Sequence, residues 1–389
     1  MTTPLRIVCV AISLWSATHL MQAAAAGSKE RVEQMVDRLF QEAEDLDRKG
    51  DRAGVEARMT EVIAVMPSEA DAYYNRALVR SGLGKLAEAE SDLDVYLSIK
   101  PSTAMVFDLR ARLRMHRGNL AGALADANQG LNLEDRPGLR GIRGQLLAAM
   151  EDHEEALKDL EIAVAANEED DDSRFSRGAS YLYLGRAQEA RADFEKVAER
   201  HPETWNVIYA LSNVRFRLLD FPGTFEALER LRKFDQSDAL VSVRLGYCHF
   251  AVGDNDRAIE ALQQVLDPGL EKSPWTAALL HLAWLRAKRP GESPLAGLVE
   301  RIEDPWGKAV CQMLLKQIGE DELVEEAQAE KDPKKQRGRL CEAYYYIGAS
   351  RLLAGDKIAG RAMLSQAIET NSFIYMEYTL AKADLARKP

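Results

Sequence analysis

Residues 73–101 read YYNRALVRSGLGKLAEAESDLDVYLSIKP, and this stretch decides the fold. It contains two runs of helix length, with Gly84 between them and Pro101 at the end. Glycine adopts the left-handed conformation that a sharp turn between helices requires, and proline stops a helix. The stretch therefore predicts one helix-turn-helix hairpin.

The same hairpin pattern returns along the chain every 34 residues. Gly50, Gly84 and Gly118 follow one another at that distance, and similar stretches lie at 176–202 and 243–268. Small residues stand where the two helices of a hairpin would cross closely: Ala77, Ala111, Gly144, Gly178 and Gly246 in the first helix, and Ala89, Ala123, Ala156, Ala190 and Ala258 in the second. A fixed period of this length is typical of helical repeat arrays.

This pattern resembles the tetratricopeptide repeat family, whose unit is one helix pair of about 34 residues. The resemblance implies an all-α fold, a right-handed superhelical α-solenoid of helix-turn-helix repeats with a C-terminal capping helix. Within an array spanning residues 27–272 we place seven units, at 36–69, 70–103, 104–136, 137–170, 171–204, 205–238 and 239–272. The first and sixth units are degenerate; in the sixth, Ser212 and Leu219 replace the usual glycines.

The C-terminal third departs from the period and then returns to it. Residues 273–340 predict irregular helical hairpins, in which one helix ends near Gly319 and residues 331–340 form a charged connector. Residues 341–389 predict a further repeat and a capping helix. The run 304–387, with its distinctive CEAYYYIG, is similar to the C-terminal half of NlpI-type proteins, tetratricopeptide lipoproteins of the bacterial envelope. This resemblance implies an adaptor that binds cell-wall hydrolases and other envelope enzymes.

Residues 1–26 carry the features of an export signal. One charged residue precedes an apolar stretch, and four alanines follow it. We expect a secretory signal peptide cleaved after Ala24, Ala25 or Ala26, with an uncleaved N-terminal anchor as the alternative. No cysteine follows the alanines, so we expect no lipid anchor. The sequence thus predicts an exported protein of the periplasm or cell envelope, without stable membrane insertion after cleavage.

Composition and motifs argue against several functional classes. The formal net charge of −11 disfavours binding to nucleic acid. No histidine pair has a metal spacing, and no phosphate-binding or nucleophile motif is present, so we predict no catalytic residues, no cofactor and no metal site.

An enzyme hidden in 273–340, which contains His281, and a self-assembling structural repeat protein are the alternatives; homo-oligomerisation stays open. We expect Cys248, Cys311 and Cys341 to be buried thiols, although a disulfide between the last two is left open.

The remaining functional surface is the concave groove of the array. In the tetratricopeptide family, the first helix of each pair, helix A, lines this groove, and residues four apart on a helix project together. The predicted partner-binding residues are Tyr74, Asp108, Arg112, Tyr183, Tyr209, Asn213, Arg217 and Tyr247. For each aromatic residue, packing between neighbouring helices is the alternative. The sequence therefore predicts a non-catalytic scaffold or adaptor that holds protein or peptide partners, and it identifies no particular partner.

Overall fold

The computed structural model describes residues 29–234, 238–266, 273–291 and 293–387. Every regular element in these ranges is helical, which confirms the predicted all-α class. Residues 1–26, for which the signal peptide is predicted, lie outside the described residues. None of the described helices combines the length and apolar character that crossing a bilayer requires.

The chain divides into two compact units, with the division between Leu146 and Leu147. Unit 1 contains α1 (29–48), α2 (Arg52–Val65), α3 (Ala70–Gly82), α4 (Leu86–Ile99), α5 (Ala104–His116), α6 (Leu120–Leu133) and most of α7 (Pro137–Ala149). Unit 2 contains α8 (His153–Ala166), α9 (Asp171–Tyr183), α10 (Ala187–Arg200), α11 (Trp205–Arg217), α12 (Phe221–Leu231), α13 (Asp238–Val252), α14 (Asn255–Leu266), α15 (Pro274–Arg286), α16 (Leu295–Leu298), α17 (Pro305–Leu314), α18 (Glu320–Gln328), α19 (Pro333–Leu353), α20 (Lys357–Glu369) and α21 (Met376–Ala386). A single turn of 3-10 helix, Val299–Arg301, follows α16.

Small residues let the two helices of a hairpin pack closely in unit 1. Ala77 on α3 and Ala89 on α4 are completely buried. Gly84, in the turn between these helices, has a φ of 76°, the left-handed conformation that its position in the sequence predicts. The repeated glycine and the repeated alanines therefore have separate roles, one in the turn and the other in the contact.

Unit 2 uses the same packing, including its degenerate hairpin. A Cβ on Gly178 would lie 2.8 Å from the Phe194 ring, so only glycine fits where α9 meets α10. In the α11–α12 turn, Leu219 keeps a left-handed φ of 61° although it is not glycine. This conformation costs roughly 1–2 kcal/mol for a residue with a Cβ. The Leu219 side chain packs against the unit 2 core, which offsets part of that cost.

Two predicted boundaries in the C-terminal third were wrong. Helix α17 ends at Leu314 rather than near Gly319, because Lys316 adopts a left-handed φ of 61°. Helix α19 begins at Pro333, so most of the predicted connector 331–340 is helical. Asp332 caps this helix by accepting hydrogen bonds from the main-chain N–H groups of residues 334 and 335, at 2.8 and 3.0 Å. A proline after a capping aspartate is a helix-start signal, and it outweighs the high charge of the stretch.

Candidate functional site

Three of the predicted groove residues lie together in unit 1. Tyr74 comes from α3, and Asp108 and Arg112 come from one face of α5. Arg112 donates from Nε to Asp108 Oδ1 at 2.7 Å, while 47% of its side chain stays exposed. Asp108 also lies close to α7, since a Cβ on Gly138 would come within 3.5 Å of its carboxylate. We call Tyr74, Asp108 and Arg112 the helix A surface of unit 1.

This surface combines three kinds of polar group. Tyr74 is half-buried, and its ring centroid lies 6.0 Å from that of Tyr96. Burial, and then the charge of Asp108, raise the pKa of Tyr74, so the phenol keeps its proton at neutral pH. The phenol donates, the Asp108 carboxylate accepts, and the Arg112 guanidinium supplies positive charge. Such a set can bind the main chain and the polar side chains of a peptide segment.

Buried ion pairs join the two helices of two consecutive repeats in unit 1, α3 with α4 and α5 with α6. Asp92 on α4 accepts hydrogen bonds from Arg76 Nη2 at 2.6 Å and from Arg80 Nη1 at 2.8 Å. The next repeat has the same arrangement, in which Asp126 accepts from Arg110 Nη2 at 2.6 Å. Both aspartates are buried. The sequence analysis missed these pairs, although their residues repeat with the same 34-residue spacing as the glycines.

In unit 2 the chain's own C-terminal segment, residues 371–387, covers the corresponding helices. Arg217 on α11 donates from Nη1 to the main-chain carbonyl of Tyr375 at 2.7 Å. It donates from the same nitrogen to the carbonyl of Phe373 and from Nη2 to that of Ile374. One guanidinium group thus binds three consecutive main-chain carbonyl groups. The predicted ligand-binding arginine therefore has a ligand within its own chain.

A second arginine contacts the same segment from α13. Arg244 donates from Nη2 to the Tyr209 hydroxyl at 2.9 Å, and its Nη1 lies 2.8 Å from Met376 Sδ. The Tyr209 ring stacks on Trp205 with centroids 4.9 Å apart. Burial, and then the charge of Arg244, lower the pKa of Arg217 to about 10. At neutral pH Arg217 therefore keeps its charge and its hydrogen-bond donors.

The other predicted groove residues of unit 2 also lie in packed surroundings. Tyr183 is half-buried, with its ring centroid 3.9 Å from that of His153, and it lines a small cleft that includes Tyr375. Asn213 is half-buried on α11, and Tyr247 is only 4% exposed. Tyr247 is therefore a core side chain in this structure, which is the alternative that the sequence left open for each aromatic residue.

Two buried carboxyl groups join α19 to its neighbours, Glu342 to α17 and Glu377 to α21. Trp306 donates from Nε1 to Glu342 on α19 at 2.7 Å, and the Tyr346 hydroxyl donates to Glu377 on α21 at 3.1 Å. Burial raises the pKa of both acids, and the charge of Glu377 raises that of Glu342 further. Both side chains are enclosed by the core, so they join helices and present no open pair of carboxylates to a substrate.

His281 and the three described cysteines are buried as well. His281 lies in residues 273–340, the segment for which an enzyme site is the alternative. Its Nδ1 lies 2.6 Å from Ser293 Oγ, and burial lowers its pKa to about 4. Cys248, Cys311 and Cys341 are buried free thiols. Within the described ranges, no group of three histidine, cysteine or acidic residues is arranged to hold a metal ion.

Comparisons with known proteins agree with this repeat architecture. Three stretches match the tetratricopeptide repeat family, at residues 70–103, 143–204 and 241–267. The lipoprotein NlpI homolog of Haemophilus influenzae is 25% identical over 233 residues, which are 59% of this chain and 73% of that protein.

Solved structures of repeat proteins are also similar to this chain. A tetratricopeptide repeat protein from Parabacteroides merdae is 20% identical, with a TM-score of 0.45, over 64% of this chain and 99% of that chain. PilW, described as a type IV pilus biogenesis factor, is 18% identical, with a TM-score of 0.45, over 51% of this chain and 93% of that chain. The family matches and the paired helices together show that this chain contains tetratricopeptide repeats and is similar to the lipoprotein NlpI homolog.

Proposed function

We propose that this protein is a non-catalytic scaffold of the bacterial cell envelope, and that it holds a protein or peptide segment on the helix A surface of unit 1. One observation supports this location above all others. Arg112 is half-exposed beside Asp108 and Tyr74, whereas Arg217 is covered by the C-terminal segment of its own chain. The residues open to a partner are therefore those of unit 1.

The proposed cellular location rests on two features. Residues 1–26 have the pattern of an export signal, and the chain resembles a protein described as a lipoprotein NlpI homolog. Envelope enzymes, cell-wall hydrolases among them, are the partner class that this resemblance suggests. A scaffold role fits tetratricopeptide repeats, and the buried positions of His281, Glu342 and Glu377 favour structural roles for these groups.

The surface chemistry suggests how a partner would be held. Arg112 can release part of its contact with Asp108 and pair with a carboxylate or a carbonyl group of an incoming segment. Asp108 can then accept an N–H group of the same segment, and the half-buried ring of Tyr74 offers apolar area at low entropic cost. Arginine and tyrosine are residue types that carry much of the binding energy in protein interfaces.

A charge reversal at this surface tests the proposal. The full chain with Arg112→Glu should lose its specific partners in a pull-down from envelope extract, because a carboxylate would then stand beside Asp108. Arg48→Glu is the matched control, since Arg48 is also an exposed arginine of unit 1 with a nearby acidic partner, Asp45. Recovery of the same partners by wild type and by Arg112→Glu would refute this location for the site.

A further inference from the structure

A cleft of about 260 Å³ in unit 2 is lined mainly by positive charge. It lies where α15 and α19 end, where α20 begins and along the last turns of α21. Arg286, Lys357, Arg361 and Arg387 contribute four cationic groups, and Asp384 contributes the single carboxylate among the lining residues. The protein as a whole has a net charge of −11, so the excess of positive charge in this cleft is opposite in sign to the charge of the chain.

The inner part of the cleft has two guanidinium groups for one carboxylate. Arg286 Nη2 donates to Asp384 Oδ2 at 2.6 Å, and Arg387 Nη1 lies 3.2 Å from Asp384 Oδ1. Arg387 also donates to the main-chain carbonyl of Phe250 at 2.6 Å. Burial lowers the pKa of Arg387, and the charge of Arg286 lowers it further although Asp384 opposes this shift. Among the described residues, one positive charge of this cluster is therefore left without a counter-ion.

Two hydrogen-bond donors of this cluster are also without an acceptor. Arg286 Nη1 and the Tyr345 hydroxyl are both buried, and among the described residues neither has a hydrogen-bond partner. The Tyr345 side chain is completely buried, and the charges of Asp384 and Arg286 both act on its hydroxyl. Buried donors without acceptors are rare in folded proteins. A buried donor loses its hydrogen bonds to water, and without an acceptor no new hydrogen bond offsets that cost. A negatively charged acceptor in the cleft would balance the excess positive charge and accept from Arg286 Nη1, the open donor on a residue that lines the cleft.

Part of the cleft wall is apolar, so a ligand that fits it carries an apolar group beside its charge. Leu352 and Leu353, at the end of α19, line it and are half-buried. Lys357 and Arg361 are exposed on α20, where they can attract an anion before it enters. We propose that this cleft binds a carboxylate that is carried next to an apolar group, such as the carboxyl end of a peptide whose last side chain is apolar. A carboxylate accepts charge-assisted hydrogen bonds from guanidinium groups, and Arg286 Nη1 is the guanidinium donor left open here among the described residues.

This site is separate from the scaffold function proposed above, since it uses no residue of the helix A surface of unit 1. Either proposal can fail without the other. Binding here would also stabilise α21, because Asp384 and Arg387 belong to the C-terminal segment.

Calorimetric titration of the full chain with N-acetyl-leucine at low salt tests the proposal. N-acetyl-leucinamide removes the charge, acetate removes the apolar group, and inorganic phosphate changes the anion. We expect saturable binding of N-acetyl-leucine with one site per chain, and at least about tenfold weaker binding of the other three probes. Absence of saturable binding up to about 10 mM, or equal binding of the amide, acetate or phosphate, would overturn the proposal.

Substitutions at the rim locate the binding in this cleft. Lys357→Gln and Arg361→Gln should each weaken N-acetyl-leucine binding about two- to fivefold, the effect of one exposed ion pair. Lys331→Gln, an exposed lysine outside the cleft, is the matched control and should bind as wild type does. Arg286→Lys keeps the charge but removes the unpaired Nη1, and should weaken binding about tenfold. If Arg286→Lys does not fold, the two rim variants decide, and unchanged affinity in both contradicts the assignment.

Discussion

Arg217 donates a hydrogen bond to the main-chain carbonyl of Tyr375 at 2.7 Å, although 158 residues separate them in the sequence. The same guanidinium group binds the carbonyls of the two preceding residues, Phe373 and Ile374. Because all three acceptors belong to the main chain, α11 recognises the path of this segment more than its side chains. Unit 2 therefore binds a piece of its own chain in the way that a repeat protein binds a peptide.

Arg217→Ala should release residues 371–376 from α11. Three carbonyl groups would lose a charged donor, and we expect a destabilisation of about 2–4 kcal/mol. Amide hydrogen exchange should show faster exchange in residues 371–379. Arg191→Ala is the control, because Arg191 in the same unit is exposed and, among the described residues, pairs only with Glu195, at 3.7 Å. Unchanged exchange in Arg217→Ala would mean that other contacts hold the segment.

Gly185→Ala tests the contact of the turn after α9 with Phe373. Gly185 has a φ of 79°, and a Cβ there would lie 2.6 Å from the Phe373 ring. Gly355 has a φ of 90° with nothing near its missing Cβ, so Gly355→Ala should cost only about 1 kcal/mol for the backbone conformation. Denaturant unfolding should show a larger loss for Gly185→Ala, and equal losses would contradict the contact.

Asp92→Asn should destabilise unit 1 strongly. Asp92 is 3% exposed and accepts from Arg76 and Arg80. Its neutralisation leaves the part-buried guanidinium group of Arg76 without its counter-charge, and Arg80 keeps only its pair with Glu56. A loss of about 3 kcal/mol is expected. Asp94→Asn is the control on the same helix, because Asp94 is 54% exposed although it pairs with Arg110. Its loss should stay below about 1 kcal/mol, and a similar loss for both variants would show that burial is not decisive.

The Glu377 carboxyl predicts a pH effect. Its pKa is raised in the folded protein, so the folded state retains a proton that the unfolded state loses, and stability falls as pH rises above about 4.5. Glu377→Gln removes this contribution and should gain stability relative to wild type as the pH rises above about 4.5.

Urea unfolding at several pH values measures this difference. His281, whose lowered pKa acts in the opposite direction, is present in both proteins, and its contribution cancels. Glu325→Gln, an exposed acid on α18, should differ from wild type by an amount that does not change with pH. A pH-independent difference for Glu377→Gln would contradict the assigned role of burial.

Local sequence signals were sufficient for the hairpins. Gly84 and Ala77 show why, because a turn conformation and a close helix crossing each depend on residues within one repeat. The same applies to Asp108 and Arg112, which are four positions apart on one helix and pair as that spacing suggests.

The covering of unit 2 could not be predicted in this way. The contact of Arg217 with residues 373–375 depends on where the chain returns after four further helix pairs, and no local pattern encodes that. One signal was present in the last helix, where Glu377 and Asp384 are charged residues that the structure buries. A capping helix packed on one side would leave such acids in solvent. The sequence does not distinguish these two buried acids from solvent-exposed ones, so it did not predict that both would be enclosed.

Site-specific photo-crosslinking in cells tests the central claim most directly, that partners use unit 1 while unit 2 binds its own C-terminal segment. A photoreactive phenylalanine analogue replaces Tyr74 in one protein and Tyr209 in the other. We predict that position 74 forms adducts with other proteins and that position 209 forms an internal crosslink to the region of Met376. Adducts with a partner from position 209, together with none from position 74, would contradict the claim.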